Sequence, residues 1–241
     1  MKQKLADAYA AIRSQAPWSH PKSPEISHHR VLPHATYSPW LLDEGFQTVF
    51  QHIRNHTLVD IYRCYELWTL GQQLSHVPGN YLEVGVWRGG TGALLASTVK
   101  DNAAKHVYLA DTFQGVVKAG GADTVYVGGE HADTSSALVS DLLKGLGLSN
   151  FTLLEGIFPE QTASGFQGKL ALLHCDVDVY SSAKDVVEWG IPLLSSGGCI
   201  VFDDYGFSGC EGVTKLVNAL RSDKGFLFIH NLNGHAILIK K

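Results

Sequence analysis

The chain is poor in several things, and each shortage removes a class of protein. Its four cysteines, Cys64, Cys175, Cys199 and Cys210, form no Cys-x-x-Cys pair in 241 residues, so neither a zinc knuckle nor a disulfide framework organises it. Three of them sit in or beside apolar runs, where a buried thiol is the ordinary finding. A basic excess is also missing: Lys+Arg 19 against Asp+Glu 23 leaves a formal net charge of -4. No phosphate-tracking field therefore supports nucleic acid as a partner. No stretch reaches the roughly 20 apolar residues of a membrane span. The opening MKQKLADAYAAIRSQAPW lacks the uninterrupted apolar core of a secretory signal. The expectation is a cytoplasmic protein with neither membrane nor nucleic-acid partners.

What is present is an ordinary globular composition, hydrophobic 45% and charged 17%, with Gly 25 against Pro 8. The prolines are unevenly placed. Pro17, Pro21, Pro24, Pro33 and Pro39 all precede residue 57, among His20, His28, His29 and His34. Proline fixes its own φ and pushes the preceding residue out of the helical region. Residues 1–56 are therefore expected to form an arm and lid, extended with short helical pieces. Tyr37, Trp40, Leu41, Leu42, Phe46 and Phe50 give its later half something to pack with, and a homo-oligomer is expected from this aromatic arm.

A second domain is expected over 57–241. A helix is predicted from Thr57, as N-cap, through Leu58, Ile61, Tyr62, Tyr65 and Trp68, to be closed by Gly71 or Gly79. Beyond it, short apolar runs alternate with helical stretches: NYLEVGV, TGALLASTV, HVYLAD, SSALVSDLLKGL, FTLLEG, KLALLHCDV, SSAKDVVEWGIPLL, GGCIVFDD and GCEGVTKLVNAL. Such alternation predicts an α/β, doubly wound, mostly parallel sheet buried on both faces. The final GFLFIHNLNGHAILIK reads as an antiparallel hairpin at one edge. One segment, 114–131, is too long and too rich in glycine for a simple connection and is expected to be a lid.

Two places carry chemistry. The first strand ends in Glu83-Val84-Gly85-Val86-Trp87-Arg88-Gly89-Gly90-Thr91-Gly92, at a strand-to-helix turn where backbone amides meet a ligand. Its spacing is E-x-G-x-x-x-G, not the G-x-G-x-x-G of a pyrophosphate site. The leading carboxylate, Glu83, disfavours phosphate and favours an ammonium or sulfonium group. Asp111 at the tip of the second strand is placed for ribose hydroxyls, although a helix cap or turn aspartate is the plainer account. Ser135 and Ser136, with Gly156-Ile157-Phe158, would line an adenine. At the other place Asp176 and Asp178 end one strand and Asp203 and Asp204 end the next. Four carboxylates at one sheet edge repel unless protonated or joined by a cation, and oxygen-only ligands suit magnesium, calcium or manganese. A capping role for Asp178 at the following helix is the competing account.

The runs ATYSPWL, HTLVDIYRCYELW, EVGVWRGGTG, DTFQG, LLHCDVDVYSS and GGCIVFDDYG resemble the macrocin O-methyltransferase family. That resemblance implies a Rossmann-like class I methyltransferase sheet of seven strands. It also implies S-adenosyl-L-methionine and Mg2+ as cofactors, and a small glycoside with vicinal hydroxyls as substrate in natural-product biosynthesis. It places the cofactor among Glu83, Gly85, Arg88, Gly89, Gly90, Thr91, Asp111, Thr112, Phe113, Ser135, Gly156, Ile157, Phe158 and Asp176, and the metal on Asp176, Asp203 and Asp204. Some relatives carry a histidine, or in catechol enzymes a lysine, three positions after the first metal aspartate. Here that position is Val179, which cannot take a proton, so Asp178 becomes the candidate base, with His131 or an arm histidine as the alternative. Arg63 and Arg88 could meet substrate or pair with an acid such as Glu66. His174 reads as a core histidine. A phenolic diol substrate and a non-catalytic binding module are the competing functions.

Overall fold

A computed structural model describes residues 2–13, 18–28 and 37–241; Pro17, His29, Pro33 and His34 lie outside them. In chain order the elements are α1 (Lys2–Arg13), β1 (Trp18–His20), β2 (Ser23–His28), α2 (Glu44–Ile53), α3 (Ile61–Gln73), β3 (Asn80–Val84), α4 (Gly90–Thr98), β4 (Val107–Asp111), α5 (Ser136–Gly145), β5 (Phe151–Glu155), β6 (Leu170–Cys175), α6 (Tyr180–Leu193), β7 (Leu194–Phe202), α7 (Glu211–Leu220), β8 (Phe226–His230) and β9 (Ala236–Lys240).

Seven strands form one sheet in the order β5-β4-β3-β6-β7-β9-β8. The first five are parallel, and β9 runs antiparallel to both β7 and β8. The sheet is buried on both faces because its strands alternate between two apolar layers. Tyr81, Leu109 and Val201 face a layer built with α2, α3, α4 and α5. Leu82, Tyr108, Ile200 and Phe202 face another built with α6 and α7. The alternation follows from side chains pointing to opposite faces at successive positions.

Strand register positions the site. Val84 pairs with Ala110 on one side and with Cys175 on the other, and Cys175 pairs with Phe202. The next residue of each strand end, Gly85, Asp111, Asp176 and Asp203, therefore emerges along one edge. Chain order reverses between β3 and β6, the point where doubly wound sheets open a ligand crevice.

Several expectations shift. The helix foreseen from Thr57 starts at Ile61, because the Asp60 side chain accepts hydrogen bonds from the amides of Tyr62 and Arg63. Thr57 instead makes a local turn, its hydroxyl accepting from the Val59 amide at 3.0 Å. Gly71 stays inside the helix, where a Cβ would meet the Thr98 hydroxyl of α4 at 2.6 Å; its smallness sets the α3/α4 approach. The proline-free start forms α1 rather than extended chain, and Pro21 turns the β1/β2 hairpin. Of the arm aromatics, Trp40 and Phe46 are buried with Leu67 and Leu94, while Tyr37, Leu41 and Leu42 are exposed. No helix among the described residues is long and apolar enough to cross a membrane.

Candidate active site

A cavity of about 280 Å3 opens at the reversal point, lined from both halves of the sheet edge. On the β3/β4 side its lining includes Gly85, Val86, Trp87, Thr91, Asp111 and Thr112, with Gly156 and Phe158 beyond. Asp111 organises this half: one oxygen accepts the amides of Val86 and Trp87 at 2.7 and 2.8 Å, and the other accepts that of Phe113 at 2.7 Å. An ionised carboxylate offers about four lone-pair positions, so capacity for a ribose hydroxyl remains. Gly85, at φ 92, is required by protein rather than ligand, since a Cβ there would overlap the Asp176 carbonyl oxygen. Gly90 donates its amide to the His56 carbonyl at 2.9 Å, which draws the segment before α3 over the loop.

Other residues expected to hold the cofactor lie elsewhere. Glu83 is fully buried and outside the lining, with Oε1 2.8 Å from His174 Nδ1, so the positive group it faces is an imidazole. The Arg88 guanidinium sits 4.7 Å from the Trp87 ring centroid and pairs with Asp133 at 2.5 Å on the surface. Ser135 caps α5, accepting from the Leu138 amide at 3.1 Å. Gly89, Gly90, Phe113 and Ile157 shape the loops without lining the cavity.

The β6/β7 side brings Asp176, Asp178, Asp203 and Asp204 together on the cavity wall. Ligand atoms of Asp176, Asp203 and Asp204 lie within 4.8 Å of one another. Burial, then the charges of Asp203, Asp204 and Asp178, push Asp176 well above the usual carboxylate range. Burial, then Asp178 and Asp203, do the same to Asp204. A compact, largely buried, all-oxygen donor set under this repulsion fits a hard divalent cation. Asp178 adopts φ 62, its amide donates to Asp204 Oδ2 at 3.0 Å, and Tyr126 donates to its Oδ1 at 2.5 Å. Burial raises its pKa, while the Tyr126 hydrogen bond and His131 pull it down. His131, at φ 62, also lines the cavity.

Asp203 differs from its neighbours. Its Oδ2 pairs with Arg63, and its Oδ1 lies 2.9 Å from His235 Nε2 and 3.5 Å from His174 Nε2. Burial works against the charge, yet the two histidines and Arg63 hold the carboxyl far below its ordinary range. His174 is itself pushed up to about 9: burial opposes its charge, but Asp203 and Glu83 prevail. His235 passes the network on to Glu66 at 2.5 Å, and Asn231 and Asn233 of the hairpin turn grip the same carboxylate. A run of alternating acids and imidazoles thus crosses the sheet beneath the site. Metal-ligating carboxylates are commonly oriented by such partners.

The segment 114–131 packs against this half. Asp123 Oδ1 accepts the Tyr180 amide at 2.9 Å, and Thr124 donates to Glu211. Glu211, fully buried, lies also 3.1 Å from His28 Nε2 of the N-terminal hairpin. Sequence reasoning missed Tyr126 and His235, and the use of Glu66 as an anchor. Strand pairing held one usable signal, because Glu83 and His174 are register partners on adjacent strands.

Comparisons with known proteins agree with this layout. The chain is 31% identical over 147 residues to 8-demethyl-8-(2,3-dimethoxy-alpha-L-rhamnosyl)-tetracenomycin-C 4'-O-methyltransferase of Streptomyces olivaceus, covering 56% of each. It is 35% identical over 151 residues to mycinamicin III 3''-O-methyltransferase of Micromonospora griseorubida, covering 56% of this chain and 58% of that protein. The chain thus spans less than two thirds of the length of these curated relatives. Among solved structures, the O-methyltransferase NovP superposes with a TM-score of 0.69 at 24% identity, over 77% of this chain and 82% of NovP, which supports the fold. The macrocin-O-methyltransferase (TylF) family profile matches residues 55–228, and the chain belongs to that family.

Proposed function

We propose that this chain is an S-adenosyl-L-methionine- and Mg2+-dependent O-methyltransferase acting on a hydroxyl of a deoxysugar carried by a glycosylated secondary metabolite. The observation that carries the reading is the pairing of one cavity's two walls: a hydrogen-bonded strand-to-helix loop on one and four clustered carboxylates, two of them buried, on the other. The names of the tetracenomycin and mycinamicin relatives point to glycosylated acceptors of this kind.

When bound, adenosylmethionine supplies the methyl group and the cation lowers the pKa of the hydroxyls that chelate it. Gly85, Thr91, Asp111 and Phe158 would hold the former, and Asp176, Asp203 and Asp204 the latter. Asp178, on the same wall, takes the proton of the acceptor hydroxyl. The lid excludes water from a step in which charge is lost, and fixed geometry supplies much of the remaining acceleration. Val179 is fully buried, so nothing at that position competes for the proton.

The test is a mass-read methyl-transfer screen against rhamnosyl and related deoxysugar glycosides, with and without EDTA. Transfer abolished by EDTA and restored by Mg2+ is the expected result. Turnover indifferent to EDTA would sink the metal assignment, and transfer to phenolic diols alone would sink the sugar.

A further inference from the structure

Asp178 is held from two directions. A non-glycine residue in the left-handed region persists only where its surroundings over-determine it, and here the backbone is tied by the hydrogen bond its N–H donates to Asp204 Oδ2 at 3.0 Å. The side chain is tied by Tyr126, whose hydroxyl donates to Oδ1 at 2.5 Å from 52 residues away. The Cys210 thiol, 3.9 Å from the same oxygen, is a weak donor at best.

Tyr126 is itself well placed. Asp123 and Thr124 anchor the lid to the first turns of α6 and α7, while Val125 and Val127 are 56% and 80% exposed. The chain direction therefore turns Tyr126 inward, onto the cavity wall. Burial, then the Asp178 charge, pushes its phenol up beyond any working pH. It remains a donor and is no proton acceptor.

We propose that Tyr126 is a positioning residue for the proton acceptor: its hydroxyl fixes Asp178 through Oδ1 and leaves the other oxygen for the proton of the acceptor hydroxyl. This rests on the methyltransferase reading above. A carboxylate free to rotate would present either oxygen, or neither, at the moment of transfer. Holding it matters because displacement of a reacting group by about 1 Å costs on the order of 100-fold in rate.

The test uses the full chain with Tyr126→Phe, Asp178→Asn, the double variant and Thr124→Val. Tyr126→Phe should lower kcat by about 10-fold or more, with the acceptor KM and the calorimetric Kd for adenosylmethionine within twofold of wild type. In the Asp178→Asn background the same change should have no further effect on kcat. Thr124→Val loosens the lid without touching Asp178 and should raise KM more than it lowers kcat. Unchanged kcat in Tyr126→Phe, or equal kcat losses in Tyr126→Phe and Thr124→Val, would overturn the proposal. Thermal unfolding of the same four proteins reads the contact without turnover: midpoint shifts of the Tyr126 and Asp178 variants should be non-additive, and additive shifts would overturn it. A wild-type chain that transfers methyl to no diol-bearing glycoside overturns the methyltransferase reading and the catalytic role with it, whereas the thermal cycle still decides the contact.

Discussion

On the β3/β4 side of the cavity a single carboxylate, Asp111, is surrounded by three backbone amides. On the β6/β7 side Asp176 and Asp204 face each other and Asp178, and burial raises all three. The first wall is tied by hydrogen bonds within the chain, with one carboxylate position left over. The second holds like charges that a bound cation would relieve. One wall is built for shape and the other for charge, so substitutions should separate them by what they damage.

The largest effect belongs to the shape side. Gly85→Ala places a methyl group on the Asp176 carbonyl at a φ of 92. We expect more than about 4 kcal/mol of lost stability, or no folded protein, read by thermal unfolding; a stable variant would show that the strand ends can part. Next comes Asp178→Asn on the charge side, with kcat down on the order of 10²- to 10⁴-fold and adenosylmethionine binding intact by calorimetry. Near-normal turnover removes Asp178 from the role and returns His131 to it.

The pH dependence sharpens the contrast further. His174 has a folded pKa of about 9, above the ordinary value of about 6.5. A raised folded pKa contributes stability that is full below the unfolded value and is lost as pH climbs through the folded one. Unfolding free energy should therefore fall between about pH 6.5 and pH 9, by up to roughly 3 kcal/mol, and His174→Gln should flatten that fall. Deprotonation of Asp176 and Asp204 would act in the same direction. The smallest effect is a gain: millimolar Mg2+ should raise the unfolding midpoint, by about 2.7 kcal/mol at 100 times its Kd. EDTA should reverse the gain and Asp204→Asn should abolish it. An equal rise in that variant would place the cation elsewhere.

The sheet was legible in the sequence because each parallel strand is a short apolar run closed by glycine or aspartate, and the Asn-Leu-Asn-Gly turn announced the last hairpin. The aspartates were legible for the same reason, since strand ends share an edge. What could not be read depends on packing between distant segments. Glu66 and His235 are 169 residues apart, and neither carries a local pattern. Glu83 and Arg88 show the opposite failure: their place in a familiar loop suggested a ligand, whereas the folded chain supplies His174 and Asp133 as partners. Thr57 misled because Asp60, three residues on, looks like the second half of a capping box but is the cap itself.

The hairpin turn that grips Glu66 has a consequence for synthesis on the ribosome. β9 enters the sheet between β7 and β8, and His235, just before it, is one of the groups that hold Asp203. A nascent chain still lacking its final segment already carries β3 to β7 and all four aspartates, but it lacks His235 and so that hold on Asp203. Asp203 therefore gains its full set of partners only once the last strand threads into place between two others.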